Sequence, residues 1–200
     1  MGHSFPWVRV FAMVFELFQI ILQAITTVLV AACLLLSYLH YLKINIAPNS
    51  GNPLGQFLLP MTNWLVLPLR RIMPSSGRID VCALLASYLL VLAKTLLLLF
   101  LSHNNLFGIG LLVLAAFDWT NLVLSGLIGI VLVYALFSWT GTHSPTQAVF
   151  NEMVNPLLKP IRKIAPTISG IDFSSLILIV LIQMATVLLS RLEVLALGLI

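Results

Sequence analysis

One stretch of proline and basic residues occurs twice with identical spacing. Pro68-Leu69-Arg70-Arg71-Ile72-Met73-Pro74, four residues and Ile79-Asp80 recur as Pro160-Ile161-Arg162-Lys163-Ile164-Ala165-Pro166, four residues and Ile171-Asp172. A long apolar run follows each copy, so the chain reads as a tandem duplication, residues 1–101 and 102–200, of one supersecondary unit. That unit belongs in lipid: with 60% hydrophobic and 8% charged residues and a mean hydropathy of +1.10, too few groups remain to solvate a water-facing surface.

A helix needs about 20 apolar residues to cross the hydrocarbon. The sequence predicts four such spans: one within Val10 to Leu42, one over Val81 to Leu101, one ending near Thr140 and one over Phe173 to Leu195. The first run is too long for a single upright span, so its Arg9 to Gln23 portion is expected at the interface or in a bundle, with Ala24 to Leu39 as the core. The third is likewise too long, and Asp118-Trp119-Thr120-Asn121 is expected to divide it into a short piece, 106–116, and a span, 122–140. No cleavable signal is evident in the first run, which is expected to stay as an anchor. The fold class is thus an all-α membrane protein: four transmembrane helices in two tandem parallel repeats, each with a proline-broken amphipathic interfacial helix between its spans.

Two spans per repeat place both motifs on one side of the bilayer. That side collects Lys43, Arg70, Arg71, Arg78, Lys159, Arg162 and Lys163, against Arg9 and Arg191 on the other. The positive-inside rule then makes the motifs cytoplasmic and both termini external, in a multi-pass bacterial inner-membrane protein. The segment around Phe57, Trp64 and Leu67 is too apolar for water and too short and proline-rich to cross, so it is read as an interfacial helix with its arginines toward phosphates. Pro68 and Pro74, like Pro160 and Pro166, require each such helix to bend or end within two turns. Asn155-Pro156 has the cap-then-proline pattern of a helix start.

The ionisable residues carry competing expectations. Asp80 and Asp172 each precede a span, as N-caps or as partners of an arginine in their own motif. Arg70, Arg71, Arg162 and Lys163 enforce orientation and touch anionic lipid, or serve a specific partner. Lys94 lies about 20 Å into the second span at 1.5 Å per residue, where a charge is a functional hypothesis. Either it snorkels outward, or it joins Glu16 and Asp118 in an intramembrane ion cluster. Cys33 and Cys82 read as small apolar filler, and His40 and His143 as interfacial. No catalytic residues, metal site or cofactor emerge from the motifs, and no nucleic-acid partner is expected. Gly108, Gly110, Gly126 and Gly129 permit close helix approach without a G-x-x-x-G pattern, leaving a homo-oligomer open.

Taken together, Asn52-Pro53-Leu54-Gly55-Gln56-Phe57, the first motif with Ile79-Asp80, Phe137-Ser138-Trp139, Ser144-Pro145, Asn155-Pro156 with the second motif, and Gly170-Ile171-Asp172-Phe173-Ser174 resemble the YggT family, also called YlmG. The likeness extends over about Leu35 to Gln183. Trp64 replaces the proline expected after Asn63, and Ser37-Tyr38 stands where relatives often carry arginine. The resemblance implies a small inner-membrane protein without known enzymatic activity, associated with osmotic-stress tolerance and ion homeostasis, cell division or, in plastids, haem attachment to cytochrome b6 and nucleoid organisation. It accommodates two functions: an organising or assembly factor that recruits an unidentified membrane protein complex or anionic membrane lipids through its basic motifs, or a module that handles ions or osmolytes.

Overall fold

The computed structural model describes residues 6–44, 53–72, 79–102, 108–140, 145–163 and 173–198. Among these it is all helical: α1 Pro6–Tyr41, α2 Pro53–Ile72, α3 Val81–Leu101, α4 Ile109–Thr140, α5 Pro145–Arg162 and α6 Ser174–Gly198. Four segments are long and apolar enough to span a membrane: Met13–Tyr41, Val81–Leu101, Ile109–Ser138 and Ser174–Gly198. Each keeps most of its residues unburied within the fold, so its outer face has only lipid to meet.

The interruption expected in the third apolar run is absent. The first apolar run is one helix of 36 residues, and the third is one helix of 32 residues that passes straight through Asp118-Trp119-Thr120-Asn121. The side chains of Asp118, Trp119 and Thr120 find partners without breaking the backbone ladder. Asp118 meets Lys94, Trp119 Nε1 donates to Ser87 Oγ at 2.8 Å, and Thr120 Oγ1 donates to the Ala116 carbonyl one turn back at 2.7 Å.

α1 packs chiefly on α3 and α4 on α6; α2 rests against α1 and α3, and α5 against α4 and α6. Cys33, Leu36, Val66, Cys82, Ala83 and Ala86 form a core joining α1, α2 and α3. A larger core joins Leu39 and Leu58 to Tyr134, Met153, Leu158 and Leu178, so α2 and α5 lie at one end of the bundle, called here the motif end. Both cysteines are buried, and no disulfide joins them.

α2 and α5 run through their prolines. Pro60 and Pro68 lie inside α2, and Pro156 and Pro160 inside α5. All four face outward, so the carbonyls that lose a donor four residues earlier are not trapped in the core. α2 ends at Ile72 and α5 at Arg162; Pro74 and Pro166 lie outside the described residues. Asn155-Pro156 therefore sits within α5, whose start is Pro145, and does not open the helix.

The end of α1 is closed by two hydrogen bonds: Lys43 N–H donates to the His40 carbonyl and Ile44 N–H to the Leu39 carbonyl, both at 3.0 Å. With Lys43 at φ 58 this is a Schellman cap, in which the left-handed position is usually glycine. Its hydrophobic element is present too, since Ile44 packs against the core that contains Leu39.

Candidate functional site

The motif end is built on Asp80. As the residue before α3 it leaves its side chain free to accept from an unsatisfied helix-start amide, and Ala83 N–H donates to Oδ1 at 3.2 Å. The other carboxylate oxygen binds Arg70 Nη2 from the last turn of α2. Ser37 Oγ of α1 donates to the Asp80 backbone carbonyl at 3.2 Å. The Asp80 side chain is fully buried, whereas Arg70 keeps 37% of its side-chain surface exposed. The cap and the arginine pair therefore coexist on one carboxylate, and together they tie three helices. Arg70 Nε is buried without a hydrogen-bond partner. Asp172 lies outside the described residues.

In the second motif, Arg162 turns toward α4, where Nη2 donates to Tyr134 Oη at 2.6 Å and Nη1 to Asn155 Oδ1 at 3.4 Å. Arg71 and Lys163, the next residue of each motif, are exposed, as is Lys159. Arg162 is exposed as well, so what the copies share is a first cation held by a partner, Asp80 or Tyr134, followed by an exposed one.

The second site lies in α3, at Lys94. Thirteen residues after Val81, about 20 Å along the helix, Lys94 is buried to 6% exposure. Its Nζ donates to Gln23 Oε1 of α1 at 2.8 Å and pairs with Asp118 Oδ2 of α4 at 2.5 Å. Of the three charges expected to cluster, Lys94 and Asp118 meet. Glu16 is exposed on α1 and does not join; Gln23, two turns further along the helix, takes that place. An amide suits the position, because it accepts from the ammonium without adding a second negative charge to a pair that is already neutral.

Beside the pair opens a polar cavity of about 280 Å³, with Gln19, Thr95, Ser102, Asn121 and Glu193 on its wall. Thr95 Oγ1 donates to the Val91 carbonyl at 2.9 Å and Ser102 Oγ to the Leu99 carbonyl at 3.2 Å. Asn121 Oδ1 is buried with no donor. The room and the unmet acceptor suit a few waters or one small polar solute.

Sequence reasoning passed over Ser37, Tyr38, Gln23, Tyr134 and Asn121 as site members. The spacing of Gln19 and Gln23 in an otherwise apolar run was a usable signal, since an amide in a span seeks a hydrogen-bonding partner on a neighbouring helix. Ser37 and Tyr38 carried none: their roles depend on α3 and α5 arriving from elsewhere in the chain, Tyr38 Oη donating to the Met153 carbonyl at 2.5 Å.

The family described as CCB3/YggT matches residues 11–101 and 113–192. The chain is 37% identical over 136 residues to the Escherichia coli K12 protein YggT, covering 66% of this chain and 69% of that one. It is 34% identical over 137 residues to a Vibrio alginolyticus protein designated by its position 3′ of proC, covering 67% and 74%. Pseudomonas aeruginosa PA0392 is 30% identical over 148 residues, covering 70% and 74%. No solved structure matches.

Proposed function

The chain belongs to the CCB3/YggT family, and we propose that it is a non-enzymatic inner-membrane organising factor that docks an acidic surface of a membrane protein complex against its motif end. One observation carries this reading. In both motifs the first cation is held by a side chain of the fold, Arg70 by Asp80 and Arg162, itself still exposed, by Tyr134, while the second, Arg71 or Lys163, stands exposed. Orienting the protein by the positive-inside rule takes charge alone; it does not ask for a partnered cation followed by an exposed one twice. The packing of α1 to α3 repeated in α4 to α6, and a family match on either side of residue 102, support a duplicated docking unit with α2 and α5 as its interfacial helices. The motif end is cytoplasmic in this reading, and both termini are external.

Photocrosslinking in living cells from positions 71 and 163 tests it. One discrete protein captured from both positions is expected, with capture lost when the neighbouring exposed cations are reversed to glutamate. Lipid adducts alone, or full complementation by the Arg71→Glu, Lys163→Glu double variant at normal membrane levels, would reject docking.

A second reading, ion or small-osmolyte handling, is favoured by the unmet Asn121 acceptor beside the Lys94–Asp118 pair and its cavity. Proteoliposomes of the full chain would then pass small cations or osmolytes under a gradient, with passage reduced in Asn121→Leu; absence of flux in the unaltered protein rejects it.

A further inference from the structure

A larger cavity, about 640 Å³, lies between α1 and α4. Its wall carries Leu34, Tyr38 and Tyr41 of α1 and Trp119, Gly126 and Val133 of α4. These two helices have other principal partners, α3 and α6, and splay from each other. Three of the four polar side chains on the wall are already committed: Ser37 Oγ to the Asp80 carbonyl, Tyr38 Oη to the Met153 carbonyl and Trp119 Nε1 to Ser87 Oγ. Apart from Tyr41 at the end of α1, what faces the space is hydrocarbon.

Gly126 and Gly129, also on this wall, deepen it without serving any contact inside the protein, since a β-carbon at either position would meet no atom within 4 Å. Glycine in a helix interior costs about 1 kcal/mol relative to alanine. Small residues in spans normally let a neighbouring backbone approach, yet no neighbour from this chain is there.

From Trp119 to Val133 the cavity follows α4 for about 21 Å at 1.5 Å per residue. One leaflet of a bilayer with a hydrocarbon core of about 30 Å offers about 15 Å of chain depth, so the trough holds a full leaflet chain. A helix about 10 Å wide occupies roughly 1,600 Å³ over 21 Å, well beyond the space present. At the motif end, exposed Lys43 follows Tyr41 by two residues, and exposed Arg71 adjoins Arg70, whose partner Asp80 is next to the lining residue Ile79. We infer that the groove between α1 and α4 holds one acyl chain of an anionic phospholipid, with its phosphate held at the motif end by Lys43 and Arg71. The inference goes beyond the docking reading and does not depend on it.

The full chain with Trp119 as its sole tryptophan (Trp7, Trp64 and Trp139 replaced by Phe) is reconstituted in phosphatidylcholine vesicles and titrated with phosphatidylglycerol brominated in its acyl chains. Bromine quenches only on contact. Trp119 quenching should saturate at a mole fraction several-fold lower than with brominated phosphatidylcholine. Gly126→Phe should abolish that difference by filling the groove. Lys43→Gln, which leaves the wall untouched, should reduce the preference for the anionic lipid and covers the case in which the bulkier variant fails to fold. Equal quenching by the two lipids would overturn the inference, as would unchanged selectivity in Lys43→Gln. A Gly126→Cys disulfide between two chains in native membranes would overturn it too, by naming a second copy as occupant.

Discussion

Lys94 and Asp80 each place one charge of a pair where water is scarce, and the partners differ in how well they can do without it. Lys94 is 6% exposed and Asp118 30%. Removing one member of such a pair typically costs about 3–5 kcal/mol because the other is left buried and uncompensated, whereas replacing both by apolar groups is often neutral. Asp118→Leu should therefore sharply lower thermal stability in detergent, and Lys94→Leu, Asp118→Leu together should recover most of it. Recovery of stability without recovery of complementation would separate a functional role of the pair from a structural one. At Asp80 the asymmetry is reversed, since its carboxylate is fully buried and Arg70 reaches solvent. Arg70→Ala should cost about 3 kcal/mol. Asp80→Asn should cost clearly less, because the amide oxygen still caps Ala83 and the freed arginine hydrates; chemical denaturation of the two variants side by side checks the order.

At the level of the element, hydropathy and length identified all four spans, and α3 begins and ends where the residues predict. The misreadings were at interruptions. Asp118 to Asn121 looks like a break when read along one strand of sequence, but Lys94 and Ser87 of α3 absorb its polarity from the side. Asn155-Pro156 carries a start signal that α5 overrides, because its prolines face out and Met153, Val154 and Leu158 are fully buried on the opposite face. The Schellman cap of α1 exposes a local conflict of the same type: Lys43 occupies a left-handed conformation that glycine adopts without penalty. Lys43→Gly should raise the melting temperature, by up to about 1 kcal/mol of stability. A decrease would indicate that the lysine charge at the motif end contributes more than the backbone strain removes.

For the molecule as a whole, the proposed orientation rests on the imbalance of cations between the two ends. In a background with Cys33 and Cys82 replaced by serine, a cysteine at position 163 should be labelled by an impermeant maleimide only after the inner membrane is opened. A cysteine at 102 should be labelled in intact cells with a permeable outer membrane. The opposite pattern would reverse the topology and move the exposed Arg71 and Lys163 to the external face.

By itself the sequence determined the solvent, the number of spans and the duplicated motif, because hydrophobic length and repeat spacing are one-dimensional properties that lipid reads directly. It also marked Lys94 and Asp118 as charges in need of an account. Only the tertiary structure decided that these two meet, that Gln23 replaces Glu16 beside them, and that the first cation of each motif is held by Asp80 or Tyr134. Pairing depends on the azimuth of each helix about its axis and on which helices pack, and a hydropathy profile specifies neither. The groove between α1 and α4 belongs to the same class: Gly126 and Gly129 read as generic close-packing residues until the absence of any atom from this chain within 4 Å of their missing side chains shows them facing open space.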